Sequence, residues 1–184
     1  MLRHSCEHDQ LVTPYDPALI NPASIDLRLG NTIRLPRFFW TSKISKVWTI
    51  DEMVAAEPVP LWCDDVVRFT EHWLLPGEFV LCHSLEYIRV PPNATALLYC
   101  KSTTVRNGLE QSHGCLGDPG WGQDTEWGAQ WTFEFSNVSP KPYKLIAGKP
   151  LMQMQLISMA ELPERLYPVT GRYNSQAGPT PPRS

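Results

Sequence analysis

No apolar run in the sequence approaches the ~20 residues that a membrane-spanning helix needs. The first ten residues, MLRHSCEHDQ, also lack the apolar stretch of a secretory leader. The expectation is a soluble, unsecreted protein with no membrane partner. Excess positive charge is missing too: the formal net charge is -3, so the clustered cationic face that displaces counterions from nucleic acid is not expected. Binding a triphosphate needs only a few local cations. The five cysteines, Cys6, Cys63, Cys82, Cys100 and Cys115, are widely spread without a CxxC pair. That spacing does not make a disulfide framework, and a reducing cytoplasm fits it. A Walker loop, GxxxxGK[ST], is absent, as is the H-x-E with P-C-x-x-C pattern of zinc deaminases. The close His/Cys pairs, Cys82 with His83 and His113 with Cys115, have no second pair at finger-like spacing, so no protein-bound metal is expected.

What is present is a chain of 184 residues with 42% hydrophobic content, enough for one domain that buries roughly 70% of its unfolded surface. Eighteen prolines and eleven glycines punctuate short apolar segments, a pattern of many short strands with few short helices, so the expected class is all-β. Residues 1–23 are polar and contain proline. The first clear strand is Ser24–Leu29, with Ile25, Leu27 and Leu29 on one face, followed by a turn at Gly30-Asn31. Residues 31–72 form an irregular excursion without clean periodicity, with a short helix expected near 50–56. Further strands are expected over Glu78–Glu86, Ala94–Cys100, and near 142–146 and 151–158. Gln130–Phe135 alternates, with Trp131, Phe133 and Phe135 on one face and Gln130, Thr132 and Glu134 on the other. This domain spans 1–162. The tail, 163–184, is rich in Pro, Gly and Ser, too poor in apolar residues to pack as core, and reads as an arm or lid.

Two segments are dense in chemistry. Lys101-Ser102-Thr103-Thr104-Val105-Arg106 sets two cations and three hydroxyls directly after a strand. Such a set can hold polyphosphate by charge and short hydrogen bonds, and it reads equally well as a solvated helix start with a Ser or Thr cap. Gly114 to Gly122 carries four glycines that permit close backbone approach to a ligand and a tryptophan, Trp121, able to lie on a ring. Its Asp118-Pro119-Gly120 step is also what an ordinary hairpin would use.

In order along the chain, five segments resemble the dCTP deaminase branch of the dUTPase-like superfamily: Asn21–Gly30, Lys101–Leu109, Asp118–Trp121, Thr132–Asn137 and Arg172–Thr180. The resemblance implies a homotrimer of distorted, jelly-roll-like β-barrel subunits with active sites at subunit interfaces. It also implies zinc-independent conversion of dCTP to dUTP and ammonia, with Mg2+ carried on the triphosphate. Glu134 matches the glutamate that activates water, and Ser102 and Arg106 match residues at the ligand, as does Thr103 beside them. Lys101 stands where the family usually has Arg, keeping the charge without the bidentate fork. Gly114 lies in the loop that reads the base, Asp118 and Trp121 match positions around the deoxyribose, and Tyr167, Arg172 and Gln176 match the lid over the nucleotide. Asp26 and Arg28 read as a buried structural pair.

The chain departs from the family pattern in two places. Asp118 and Glu134 are sixteen positions apart, farther than in typical members, with Gln123–Gly128 reading as an insertion at a hairpin tip. Glu110–Gly117 is one residue short, with His113-Gly114-Cys115 where the base-reading loop lies. Three readings follow: a dCTP deaminase, including one that goes on to release diphosphate or takes a modified cytosine; a plain dUTPase with Asp118 activating water; and a non-catalytic nucleotide-binding member.

Overall fold

In the computed structural model, residues 2–36, 65–111 and 115–183 are described. The expected helix near 50–56 and the expected binding residue Gly114 lie outside them. The architecture is mostly β. Helix α1 (Leu2–His8) leads into β1 (Val12–Thr13), a 3-10 turn at Pro17–Leu19, β2 (Ile25–Arg28) and β3 (Thr32–Ile33). Then come β4 (Val67–Arg68), β5 (Glu71–Leu74), β6 (Phe79–Ile88), β7 (Ala94–Cys100), the short helix α2 (Ser102–Arg106) and β8 (Leu109–Gln111). The chain finishes with β9 (Cys115–Gly117), β10 (Ala129–Asn137), β11 (Tyr143–Ile146), β12 (Pro150–Ser158) and α3 (Tyr167–Thr170).

Two four-stranded antiparallel sheets carry the fold, ordered β1-β6-β10-β8 and β2-β12-β7-β9, with the ribbons β11-β5 and β3-β4 beside them. Bridges Leu29↔Ser84 and Arg34↔Leu81 join the end of β2 and the chain after β3 to β6. The apolar faces meet in one core: Ile25, Leu27 and Leu29 from the first expected strand, Leu98 from β7, Phe133 and Phe135 from β10, and Met152 and Met154 from β12. Burying a side chain of this size contributes roughly 1.5–3 kcal/mol. No helix among the described residues is long and apolar enough to cross a membrane.

Within the polar, proline-containing N-terminal stretch, Leu11 and Val12 are buried and β1 pairs with β6. Two sequence expectations differ from the structure. Asp26 and Arg28 do not pair with each other. Asp26 accepts from Asn21 and pairs with Lys101, whereas Arg28 Nε meets the fully buried Glu86 at 2.6 Å. Burial pushes the Glu86 carboxyl up, and the Arg28 contacts oppose that shift. Finally, the stretch from Gly114 to Gly128 is not a hairpin, since β9 pairs with β7 and β10 pairs with β6 and β8. Segment 118–128 instead crosses from one sheet to the other.

Candidate active site

Strand β10 alternates as its sequence requires: Phe133 and Phe135 are buried, while Thr132 and Glu134 are half-buried on the other face. Between Gln130 and Thr132 the register against β6 shifts, a β-bulge that strengthens the local twist. The backbone groups displaced there find side-chain partners. Ser84 Oγ accepts from Trp131 N at 2.8 Å and donates to Glu86 O at 2.6 Å, and Gln130 Nε2 donates to Ser84 O at 3.0 Å. A neutral His83 completes this wall: Nδ1 donates to the Ser84 carbonyl at 2.8 Å, leaving Nε2 to accept from Thr32 Oγ1 at 2.8 Å. Burial lowers its pKa.

In front of β10 lies a cavity of about 540 Å³, well within the range of small-molecule sites. Glu134 and Thr132 form its strand side, Cys115 and Leu116 of β9 another, and the rings of Trp121 and Trp131, 4.8 Å apart, a third. The tail closes it with Tyr167, Tyr173, Gln176 and Thr180. The Asp-Pro-Gly-Trp turn sets Trp121 in place, with Trp121 N donating to Asp118 O at 3.0 Å and Gly120 at φ +86. Tyr167 sits on that turn: its N–H donates to Pro119 O at 2.9 Å and its hydroxyl accepts from Tyr173 N at 3.1 Å. Burial raises the Tyr167 pKa, and the nearby Asp118 carboxylate adds to the shift.

The arm is docked rather than loose. Gln176, only 6% exposed, donates through Nε2 to Gln130 O at 2.9 Å and to Thr132 Oγ1 at 2.8 Å, and its carbonyl accepts from Gln130 N at 2.8 Å. Gly178 N donates to Gln130 Oε1 at 2.9 Å, and Arg34 Nε donates to Pro179 O at 2.9 Å.

Four residues singled out from sequence, Glu134, Trp121, Tyr167 and Gln176, therefore line one cavity, with Asp118 beside it. Lys101, Ser102, Thr103, Arg106 and Arg172 do not line it. Ser102, Thr103 and Arg106 are exposed on α2, whose Thr104 anchors it by donating to Leu151 O at 3.0 Å. Lys101 precedes α2 without capping it by a side chain, and its ammonium is engaged by Asp26. Arg172 is exposed, and its carbonyl accepts from Arg183.

Trp131, which lines the cavity, and Gln111, which supports it from behind Glu134 and Cys115, were not assigned from sequence. Trp131 was placed on the buried aromatic face, which it keeps while also walling the cavity. Gln111 carries no local signal, yet its Oε1 accepts from Glu134 N at 3.1 Å and its Nε2 donates to Cys115 Sγ at 3.0 Å. Burial first, and the charge of Glu134 second, push the Cys115 thiol up. Cys6, Cys82, Cys100 and Cys115 are all free thiols.

A family model described as dCTP deaminase-like matches residues 2–159. The chain is 31% identical over 184 residues to the dUMP-forming dCTP deaminase of Aquifex aeolicus, spanning 99% of this chain and 91% of that one. Against the Salinispora tropica enzyme of the same name it is 36% identical over 176 residues, spanning 93% and 84%. Among solved structures, the 2'-deoxycytidine 5'-triphosphate deaminase of Agrobacterium tumefaciens aligns with a TM-score of 0.67 at 23% identity, over 90% of this chain and 48% of that one. The dUTPase of Streptococcus mutans aligns at 0.50 and 14%, over 83% and 96%. At these identities the structural likeness speaks for the fold.

Proposed function

The chain belongs to the dCTP deaminase-like family, and from that footing we propose that it hydrolyses the 4-amino group of dCTP, with Glu134 as general base. The observation that carries this reading is Glu134 itself, a half-buried carboxylate on a strand paired along both edges, opening into a cavity walled by tryptophans and closed by the arm. A carboxylate there takes a proton from water as the oxygen attacks C4 of cytosine, and returns it to the departing amino group. The C4–O bond forms, the C4–N bond breaks, ammonia leaves and a uracil carbonyl remains. Glu134 needs no zinc to accept that proton.

The dUMP-forming names of the relatives support a second hydrolytic step, in which water displaces diphosphate from the resulting dUTP to leave dUMP. Asp118, on the turn beneath Tyr167, is the carboxylate we assign to orient that water, a step governed by positioning and charge neutralisation. Magnesium carried on the triphosphate would supply charge neutralisation to that step.

The phosphate grip is assigned to a neighbouring copy. Lys101, Ser102, Thr103 and Arg106 stand outside the cavity of their own chain, which supports a homotrimer in which one subunit's α2 faces another's Glu134. Lys101 would then share its charge between Asp26 and the phosphates. Arg172 belongs, in this reading, to the lid over the triphosphate, and the enzyme acts on the cytoplasmic nucleotide pool.

The test is a product assay on dCTP, dUTP and 5-substituted dCTP with magnesium. The expected result is one ammonia per nucleotide from dCTP, with dUMP and diphosphate following, and loss of ammonia release in Glu134→Gln. Diphosphate from dUTP with no ammonia from any cytosine nucleotide would instead establish a plain dUTPase. Tight binding without product would establish a non-catalytic member.

A further inference from the structure

The loop Gln123–Gly128 is pinned at both ends. Gly122 and Gly128 adopt φ of +76 and +95, and a Cβ on either would lie 2.1 or 2.7 Å from Ile88 O, so the backbone runs too close to the end of β6 for any side chain. Within it, Thr125 Oγ1 accepts from Gly128 N at 2.9 Å and donates to Gly128 O at 2.6 Å, which closes a tight turn. Gln123 is tied to the body by donating to Val90 O at 3.1 Å and accepting from Arg89 at 3.2 Å. From this fixed base Asp124 reaches the arm: its Oδ2 accepts from Ser175 Oγ at 2.5 Å.

Ser175 is the residue where the arm changes direction. Before it, Asn174 Nδ2 donates to Pro168 O and Gly171 O, both at 3.1 Å, and holds the α3 side. After it, Gln176 is buried on β10. Ser175 itself has φ +53, a left-handed conformation that is unfavourable for a non-glycine residue unless something local holds it. The carboxylate of Asp124 is that local hold. We infer that Asp124 is a positioning residue for the reaction: it latches Ser175 in its left-handed turn and thereby sets Tyr173 and Gln176 against the cavity. This inference rests on the deaminase reading for its kinetic consequence, but not for the latch itself.

The experiment compares full-length wild type with D124A, S175A, S175G and the D124A/S175G double variant, by amide hydrogen exchange of segment 173–180 and by kinetics on dCTP. Loss of one exposed, charge-assisted hydrogen bond predicts about fivefold faster exchange in D124A and S175A. A KM increase of about the same size is expected, with kcat changed by less than about twofold. Glycine adopts the left-handed turn at no steric cost, so S175G is expected near wild type in both measurements, and D124A is expected to add nothing to it. Unchanged exchange in D124A, or S175G as damaging as S175A, would overturn the latch. If wild type released no ammonia from dCTP while exchange followed this pattern, the deaminase reading would fall and the latch would stand.

Discussion

Glu134 sits within a strand of 9 residues paired on both edges, whereas Ser102–Arg106 is a helix of 5 residues whose Ser102, Thr103 and Arg106 side chains face solvent. The wall around Glu134 is satisfied from within the chain, by Gln111, by the Ser84 bulge and by the docked arm. Around α2, Thr104, Lys101 and the C-capping Asn107 have fixed partners, and among the described residues the side chains of Ser102, Thr103 and Arg106 have none. Under the proposed function, one chain supplies the base-activating half of the site, and the residues proposed to grip phosphate face outward from that chain's cavity.

Mixing two inactive variants breaks or sharpens this comparison most strongly. Glu134→Gln and Arg106→Ala are each expected to lose about a hundredfold or more in ammonia release. Combined and allowed to exchange subunits, they should recover about a quarter of wild-type activity, because random assembly gives that share of sites one intact copy of each half. No recovery would mean that both halves act within one chain.

The next largest effect is on stability. Gly122→Ala places a methyl 2.1 Å from Ile88 O at a positive φ, so a loss of about 3 kcal/mol is expected. That corresponds to a fall in Tm of roughly 10 °C in a thermal melt. Arg106→Ala, on the exposed helix, should change stability by less than about 0.5 kcal/mol. Equal losses in the two variants would erase the distinction between a built wall and an outward-facing patch.

The smallest effect is the acid limb. His83 is held neutral by burial, with its pKa lowered from 6.5, so the unfolded chain takes a proton that the native ring refuses. Stability is therefore fully present above about pH 6.5 and declines below it, with a slope of at most about 1.4 kcal/mol per pH unit for one group. His72, also lowered by burial, acts in the same direction. Denaturant titrations of wild type and His83→Asn between about pH 7 and 5 should show a shallower slope in the variant; identical slopes would remove His83 from the wall's pH dependence.

The difference between the two regions also explains what the sequence could convey. Strand alternation at Thr132-Phe133-Glu134-Phe135 is local, so the exposure of Glu134 and the burial of its neighbours were legible. The Asp-Pro-Gly turn before Trp121 was legible for the same reason. Which sheet the following segment enters was not, because pairing partners are chosen by long-range contacts, and 118–128 was taken for part of a hairpin when it crosses between sheets. Lys101 and Asp26 meet across 75 positions, and Gln111 meets Glu134 across 23; no local periodicity encodes either. The tail looked too apolar-poor to pack, and it docks by hydrogen bonds from Gln176 and Gly178 together with packing of Tyr167 against the core and burial of Pro179, which composition does not report. That a cavity wall and a cationic helix would separate within one subunit was implied only by family resemblance.

In the proposed reaction, water activated by Glu134 attacks C4 of the cytosine of dCTP, and turnover in 18O-enriched water follows that oxygen. One 18O atom at O4 of the uracil product is expected for each ammonia released by wild type, and neither label nor ammonia from Glu134→Gln. Label confined to phosphate, with ammonia absent or unaffected by Glu134→Gln, would contradict it.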